Sequence, residues 1–262
     1  MPLLSSKDQI RRILNRDSRW CIYALGDLTP RMFAKCQWFT PDLTLVIRDY
    51  GTCILFAHGA GSIREALDHC AFPVHLQVQK DAFDEVARYA NVSNVKHMLR
   101  MSAEKRHQLA LSDTPPPRGG VEPKRAAERP DVKRLTDADV EALKCLYADG
   151  EATGESPDFF YDSMVTDGVF FGVYERDELI AVTGTHLVSR DEGAAAIGNV
   201  YVRRDRRGRG LSRLTTAAVL NELHGIETIG LNVRADNAAA IRVYESLGFV
   251  THCPFIEAIA TR

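Results

Sequence analysis

The chain has 262 residues, of which 45% are hydrophobic and 26% are charged, and its formal net charge is −2. This composition is ordinary for a soluble globular protein. The nearly balanced charge argues against a nucleic-acid-binding protein as a whole.

Signals for targeting, disulfides and metals are missing from the sequence. No apolar run approaches the roughly 18 residues that a membrane-spanning helix needs, and the start, Met1 to Asp8, lacks the basic region and apolar core of a secretory signal. The six cysteines include no C-x-x-C pair, which favours reduced thiols. His58, His69 and His75 form no recognisable metal-ligand motif. We therefore expect a cytoplasmic protein with no metal and no membrane contact.

The first 111 residues predict a domain of mixed helices and strands. Two apolar runs that flank Gly51 predict a hairpin, and His58-Gly59-Ala60-Gly61-Ser62 predicts a turn between a strand and a helix. The predicted helices are 10–15, 63–70 and 81–89, and the predicted strands are 43–48, 52–57 and 74–78.

A proline-rich segment then divides the chain. Residues 112–130 read SDTPPPRGGVEPKRAAERP and hold five of the eleven prolines, two adjacent glycines and almost no apolar residues. Such a segment cannot build a core and is typical of an extended linker. We expect an N-terminal domain over 1–111 and a C-terminal domain over 131–262, each large enough to fold.

The C-terminal part has a clearer order of elements. Thr136 precedes the first predicted helix, and Asp139 stands three residues later in the manner of a capping box. The predicted strands are 132–135, 169–174, 179–188, 194–202, 228–233 and 249–253, and further helices cover 211–223 and 237–247. This order predicts the α/β (α+β) class, with a mixed, mostly antiparallel sheet flanked by helices.

A glycine-rich loop joins the strand 194–202 to the helix 211–223. It reads Arg207-Gly208-Arg209-Gly210-Leu211-Ser212, and its glycines and helix start can form a cradle for a phosphate. The lysine and Ser/Thr that a P-loop requires after Gly210 are missing, and Arg213 stands where the dinucleotide fingerprint needs its third glycine. The loop therefore predicts an anionic ligand other than ATP or NAD.

Two motifs, in this order, point to a family. Val200-Tyr201-Val202 is followed by the loop just described, and the run LNVRADNAAAIRVYESLGF extends from Leu231 to Phe249. The first motif is similar to (Q/R)-x-x-G-x-(G/A) and the second to N-x-x-A-x-x-x-Y-x-x-x-G-F of the GNAT superfamily of acyl-CoA-dependent N-acyltransferases. Ser212 departs from the usual Gly or Ala, but it is small. The resemblance covers residues 130–255.

The resemblance implies an enzyme that moves an acyl group from acetyl-CoA to an amine by direct attack in a ternary complex. Tyr244 would be the general acid for the leaving thiolate. Asn237, on the same helix face, would bind the cofactor or cap the helix. The alternative is a non-enzymatic acyl-CoA-binding regulator, which would not need the Tyr244 phenol. The other implied cofactor contacts are Val200, Tyr201, Val202, Arg207, Gly208, Arg209, Gly210, Leu211 and Ser212.

The general base stays open at this point. Many relatives place a carboxylate on the strand before the loop, but that strand reads AAAIGNVYV and has no acid. His186, Glu155 and Asp158 are candidates that could act through a water molecule.

The N-terminal part resembles a degenerate copy of the same fold. Its HGAGS turn echoes the later loop but has no arginine, and no N-x-x-A-x-x-x-Y helix follows. This layout is similar to that of glycine N-acyltransferase-like proteins, and an unrelated helper domain is the alternative. We expect a small-molecule amine or amino acid as acceptor, with a peptide amine as a further option. The expected assembly is a monomer of two similar halves or a homodimer.

Overall fold

The computed structural model describes residues 3–49, 51–103, 130–157 and 159–262. The predicted linker lies outside these ranges except for its last residue, and the division of the chain into two domains stays a prediction. Within the described ranges, an 11-stranded sheet runs through both halves of the chain and helices pack on it. None of the helices in these ranges has the length and apolar character needed to cross a membrane.

The N-terminal half supplies the first five strands of the sheet. Each helix and strand predicted for this half is found, with small shifts at the ends, whereas α2, α3, β1 and β5 were not predicted. The helices are α1 (Lys7–Leu14), α2 (Ile22–Gly26), α3 (Pro30–Phe33), α4 (Ile63–Asp68) and α5 (Lys80–Val86), and the strands are β1 (Cys36–Phe39), β2 (Thr44–Asp49), β3 (Thr52–Ala57), β4 (Val74–Val78) and β5 (Asn91–Ala103).

The C-terminal half follows its predicted order closely. The capping box of Thr136 and Asp139 is present, on a short 3-10 turn that leads into α6. The helices are α6 (Val140–Glu151), α7 (Ser163–Asp167), α8 (Leu211–Glu222) and α9 (Ala238–Ser246), and the strands are β6 (Val132–Arg134), β7 (Phe171–Glu175), β8 (Glu178–Ser189), β9 (Ala194–Val202), β10 (Thr228–Arg234) and β11 (Phe249–Thr261). The predicted order allowed a second helix after α6 without giving its bounds, and α7 occupies that place.

The sheet has the order β1-β2-β3-β4-β11-β5-β10-β9-β8-β7-β6. In the described chain its pairs are antiparallel except β3 with β4 and β9 with β10. Each parallel pair is joined by one helix, α4 in the first half and α8 in the second. The mixed, mostly antiparallel sheet is therefore confirmed, and both halves share one local pattern of elements.

The last strand of each half lies beside the sheet of the other half. β5, from the N-terminal half, pairs with β10, and β11, from the C-terminal half, pairs with β4. The two long strands also pair with each other from Phe249↔Ala103 to Thr261↔Asn91. This strand exchange makes the boundary between the halves a continuous part of the sheet.

A buried arginine lies where the two halves meet. The guanidinium carbon of Arg100, on β5, lies 5.0 Å from the ring centroid of Trp20, 4.7 Å from that of Tyr23 and 5.3 Å from that of Phe255. The side chain is fully buried, and its three nitrogens have no hydrogen-bond partner among the described residues. Burial lowers the pKa of Arg100, because the charged form loses its hydration. The rings supply cation–π attraction instead.

Arg100→Met is expected to change the free energy of unfolding by less than about 1 kcal/mol, because methionine keeps most of the volume and removes a charge that is costly to bury. Arg100→Ala is expected to cost about 3 kcal/mol, because it leaves a hole among three aromatic rings. Urea unfolding of both variants measures the difference. A large and equal loss in the two would show that the charge, and not the packing, stabilises this region.

Candidate active site

A cavity of about 1400 Å³ lies between the two halves. The C-terminal half lines it with the end of β9, the glycine loop, α8 and α9, and the N-terminal half lines it with α2 and parts of β2 and β3. The cavity therefore joins the segment with the two motifs to a half of the chain in which no site was predicted. The predicted site residues on its wall are Val200, Tyr201, Val202, Arg207, Gly208, Gly210, Leu211, Ser212, Asn237 and Tyr244.

The glycine loop is open toward this cavity. Gly208 has φ +78° and Gly210 has φ +75°, and no atom lies within 4 Å of where a Cβ would stand at either position. Gly210 is the N-cap of α8, and no side chain caps the helix. The first N–H groups of α8 have no acceptor within the helix. They and the helix dipole therefore favour an anion at this loop.

The end of β9 is released from its parallel neighbour. The β9–β10 pairing stops at Ile197↔Leu231, so the segment from Gly198 to Val202 leaves β10 and opens a gap in the sheet. Val200 and Val202 are half-buried in this gap. The Val200 backbone groups on the β10 side are consequently available to a ligand that enters between the strands, whereas the Val202 carbonyl accepts from Arg207 Nε at 3.1 Å.

The arginines of the loop differ in their surroundings. Arg207 binds both carboxylate oxygens of Glu155, at 3.0 and 3.1 Å, and its guanidinium lies 5.6 Å from the Tyr201 ring centroid. This pair lowers the pKa of Glu155, so the carboxylate stays ionised and engaged. Arg209 turns toward Glu175, at 3.5 Å, and is not on the cavity wall. A role for Arg209 in cofactor binding thus has no geometric support in this conformation.

Asn237 and Tyr244 line the cavity from the N-cap and the body of α9. Asn237 is the N-cap, and its Oδ1 accepts from the backbone N–H of Ala240 at 3.1 Å, as the capping alternative requires. Tyr244 is 7% exposed, lines the cavity and packs edge-on against Phe249 with ring centroids 6.0 Å apart. Burial raises the pKa of Tyr244 to about 12, so the phenol keeps its proton at neutral pH.

Two of the three candidate bases, His186 and Glu155, do not fit that role well. His186 lies against Gly198, and the Tyr23 hydroxyl is 3.1 Å from its Nδ1. Burial, with a smaller effect of Arg100, lowers the pKa of His186 to about 4, which makes it a weak base. Glu155 is held by Arg207. Asp158 lies outside the described residues.

Sequence reasoning missed a carboxylate on the cavity wall. Glu257 lies on β11, and its Oε1 accepts from Asn232 Nδ2, on β10, at 3.3 Å. Burial raises the pKa of Tyr23, Arg100 lowers it, and Glu257 and Tyr244 raise it by smaller amounts. Tyr23, Tyr244 and Glu257 all line the cavity. No local motif marks Glu257, since its position depends on the pairing of distant strands.

The N-terminal turn that echoes the glycine loop is closed. A Cβ at Gly59 would lie 2.8 Å from Asp42 Cβ, and one at Gly61 would lie 2.6 Å from Asp42 Oδ2. The Asp42 carboxylate accepts the backbone N–H of Gly61 at 3.0 Å. An internal anion thus takes the place that a phosphate would need, and this turn does not reach the cavity.

Comparisons with known proteins agree with these motifs. Residues 137–249 match the profile of the acetyltransferase (GNAT) family. A mycothiol acetyltransferase of Streptomyces coelicolor is 42% identical over 92 residues, 33% of this chain and 28% of that protein. A [ribosomal protein bS18]-alanine N-acetyltransferase of Salmonella typhimurium is 43% identical over 75 residues, 28% of this chain and 49% of that protein.

Similarity of fold extends over the whole chain. A tandem GNAT protein from the clavulanic acid biosynthesis pathway has a TM-score of 0.54 and 13% identity, and the alignment covers 98% of this chain and 97% of that one. The matches to the curated relatives are shorter: the alignments span about half of those proteins or less.

Proposed function

We propose that the protein transfers an acetyl group from acetyl-CoA to an amine, because the C-terminal half of this chain contains an acetyltransferase domain of the GNAT family. The observation that carries the proposal is one shared cavity. It brings an open glycine loop at a helix start and a protonated phenol at Tyr244 to the same space.

The loop fits the pyrophosphate of coenzyme A. A pyrophosphate needs converging N–H donors and little steric bulk, and the open glycines at 208 and 210 with the uncapped start of α8 provide both. Arg207 adds positive charge at the edge of the cavity. The gap beside Val200 and Val202 would accept the amide groups of the pantetheine arm.

The proposed reaction is a direct displacement. The amine nitrogen attacks the thioester carbonyl, the new N–C bond forms, and the C–S bond breaks to release the thiol. Binding both reactants side by side supplies much of the rate. Tyr244 would donate its hydrogen bond to the sulfur as negative charge develops. With a pKa of about 12, above the roughly 8.5 of a thiol, the phenol acts mainly as a donor to the thiolate.

The proton of the amine also needs an acceptor. We assign this role to Glu257, which lines the same cavity as Tyr23 and Tyr244 and accepts a hydrogen bond from the amide of Asn232. An alkyl ammonium group has a pKa of about 10, so most acceptor molecules carry the extra proton at neutral pH. An ammonium nitrogen has no lone pair, so this proton must leave before the nitrogen attacks, and a positioned carboxylate can accept it.

Release of free thiol from acetyl-CoA, measured with a panel of amines and amino acids, tests this function. Turnover with at least one amine is the expected result. Tight binding of acetyl-CoA without thiol release from any amine or peptide would instead indicate a regulatory protein that binds acyl-CoA. A short peptide with a free N-terminus belongs in the panel beside the small-molecule amines.

Gly210→Val is expected to weaken acetyl-CoA binding at least about tenfold, because a branched side chain at φ +75° both strains the backbone and fills the cradle. Gly225→Val is the matched control, since Gly225 also has positive φ and open space but lies away from the cavity. Titration calorimetry with coenzyme A measures the affinities. Similar affinity in the two variants would exclude the loop as the phosphate site.

A further inference from the structure

The N-terminal half places on the cavity wall a carboxyl group that the proposed reaction does not use. Asp27 is the C-cap of α2 and lines the cavity together with Tyr23, which lies one helical turn earlier. Within the described part of the chain, its carboxylate makes no hydrogen bond and no ion pair.

Asp27 differs in its partners from the other acidic residues on the cavity wall. Glu257 accepts a hydrogen bond from Asn232, and four other carboxylates on the cavity wall already have basic partners. These pairs are Asp49 with Lys35, Asp167 with Arg31 at 3.7 Å, Glu155 with Arg207 at 3.0 Å and Asp236 with Arg234 at 2.6 Å. Asp27 differs from these five carboxylates because no described side chain forms a hydrogen bond or an ion pair with it.

Without a bound ligand, a charged Asp27 lowers the stability of the folded protein. A negative charge at the C-terminal end of a helix opposes the helix dipole. Burial, with a smaller effect of Asp49, raises the pKa of Asp27 to about 7. The groups that face it are Asp49 of β2, which is paired with Lys35, and the thiol of Cys36 on β1. Arg31 of α3 also lines the cavity and is paired with Asp167. A bound cation would offset these costs.

Asp27 and the reacting groups lie at different levels of the cavity. Tyr23 is beside His186 and close to Tyr244 and Glu257. Four residues of helix advance about 6 Å, so Asp27 lies one turn farther along α2, toward Asp49 of the N-terminal sheet. The wall on this side includes the apolar residues Met32, Ile47, Ile54 and Phe56 together with polar ones such as Thr29 and Thr52.

We propose that Asp27 binds a second positively charged group of the acceptor, so that the preferred substrate is a small molecule with two amines joined by an apolar spacer. One amine is acetylated beside Tyr244 and Glu257. The other, still charged, pairs with Asp27. This inference rests on the proposed acetyl transfer and names the chemical class of its acceptor.

The test compares straight-chain diamines, from diaminobutane to diaminohexane, with the monoamines of the same length. Calorimetry measures their binding to the full-length protein with coenzyme A present, so no turnover is needed. At pH 8, the best diamine is expected to bind at least about tenfold more tightly than its monoamine, because it gains a charged pair in a poorly solvated site. Asp27→Asn should reduce this ratio to about one. Asp167→Asn, a matched loss of charge at another carboxylate that lines the cavity, should leave the ratio unchanged.

The pH dependence adds an independent measurement. The Asp27 carboxyl is charged above its pKa of about 7, so the diamine preference should rise between pH 6 and pH 8 in the wild type and stay flat in Asp27→Asn. The same shift means that the folded state holds a proton that the unfolded state releases, which lowers stability as pH rises from about 4 to about 7. Asp27→Asn should therefore raise Tm at pH 8 and fold well.

Equal binding of diamines and monoamines, or a preference that survives Asp27→Asn, would overturn the proposal. Either result would leave the acetyltransferase assignment intact if some monoamine is acetylated. Conversely, an absence of thiol release with every amine would contradict the proposed reaction, while the binding ratio would still decide the role of Asp27.

Discussion

Tyr244→Phe is expected to lower kcat by about two orders of magnitude, while the affinity for acetyl-CoA changes less than about threefold. The substitution removes one oxygen and keeps the ring that packs against Phe249. What is lost is the hydrogen bond to the sulfur, which strengthens only as the C–S bond breaks. Steady-state thiol release and calorimetry with coenzyme A separate the two effects.

Results that would contradict this role of Tyr244 can be told apart from the expected one. Equal losses in kcat and in cofactor affinity would mean that the phenol holds the cofactor and does not assist the leaving group. Since the pKa of Tyr244 is about 12, wild-type activity should show no decline from ionisation of the phenol at neutral pH. An activity that falls with an apparent pKa near 7 as the pH rises would have to be assigned to another group.

Glu257→Gln is expected to lower kcat by about two orders of magnitude near pH 7, because the amide keeps the shape and the contact with Asn232 but cannot take a proton. The loss should shrink as pH approaches about 10, where the amine is already deprotonated in solution. A pH profile of kcat/KM in the wild type and the variant measures this recovery. A purely structural role would give a loss that does not depend on pH.

Glu245→Gln is the control for this experiment. Glu245 lies on α9 next to Tyr244 in sequence but is exposed to solvent, so the same change of charge should alter kcat by less than about twofold. A comparable loss in both variants would point to the net charge of the region. An unchanged kcat in Glu257→Gln would exclude Glu257 as the proton acceptor.

The C-terminal half was predictable because its signals are local. Strand β9 spans the predicted residues 194–202, and the capping box of Thr136 and Asp139 and the helix after Gly210 follow from short-range rules of spacing and turn chemistry. The loop and α9 were placed on one site by two separated motifs. Their meeting in a single cavity agrees with that expectation.

The missed elements lack such local signals. α2 has only five residues, IYALG, and four of them are buried, so no polar face marks a helix. The first half of β5 is largely exposed, and Arg100 lies in the buried half, where an apolar residue is expected. In both segments tertiary packing decides the structure, and its partners are distant in sequence.

The site could be predicted only in part, because some of its residues also lack local signals. The residues that would bind acetyl-CoA lie in two recognisable motifs, whereas Asp27 and Glu257 are 230 positions apart and carry no motif. They share a cavity only because the pairing of β11 with β4 and β5 brings the end of the chain to the N-terminal half. The structure also changes the list of candidate general bases. Glu155 is paired with Arg207, so its carboxylate is not available as a base.

The strand exchange has a consequence for how stability is distributed in this molecule. A fragment that began at residue 131 would lack β5, and the neighbouring edges of β10 and β11 would lose their partner. The two halves should therefore unfold in one cooperative transition, and acetyl-CoA bound at the glycine loop should protect backbone amides in β4 and β5 from hydrogen exchange as well. In energetic terms the N-terminal half is part of the cofactor-binding unit, although its own glycine turn is filled by Asp42.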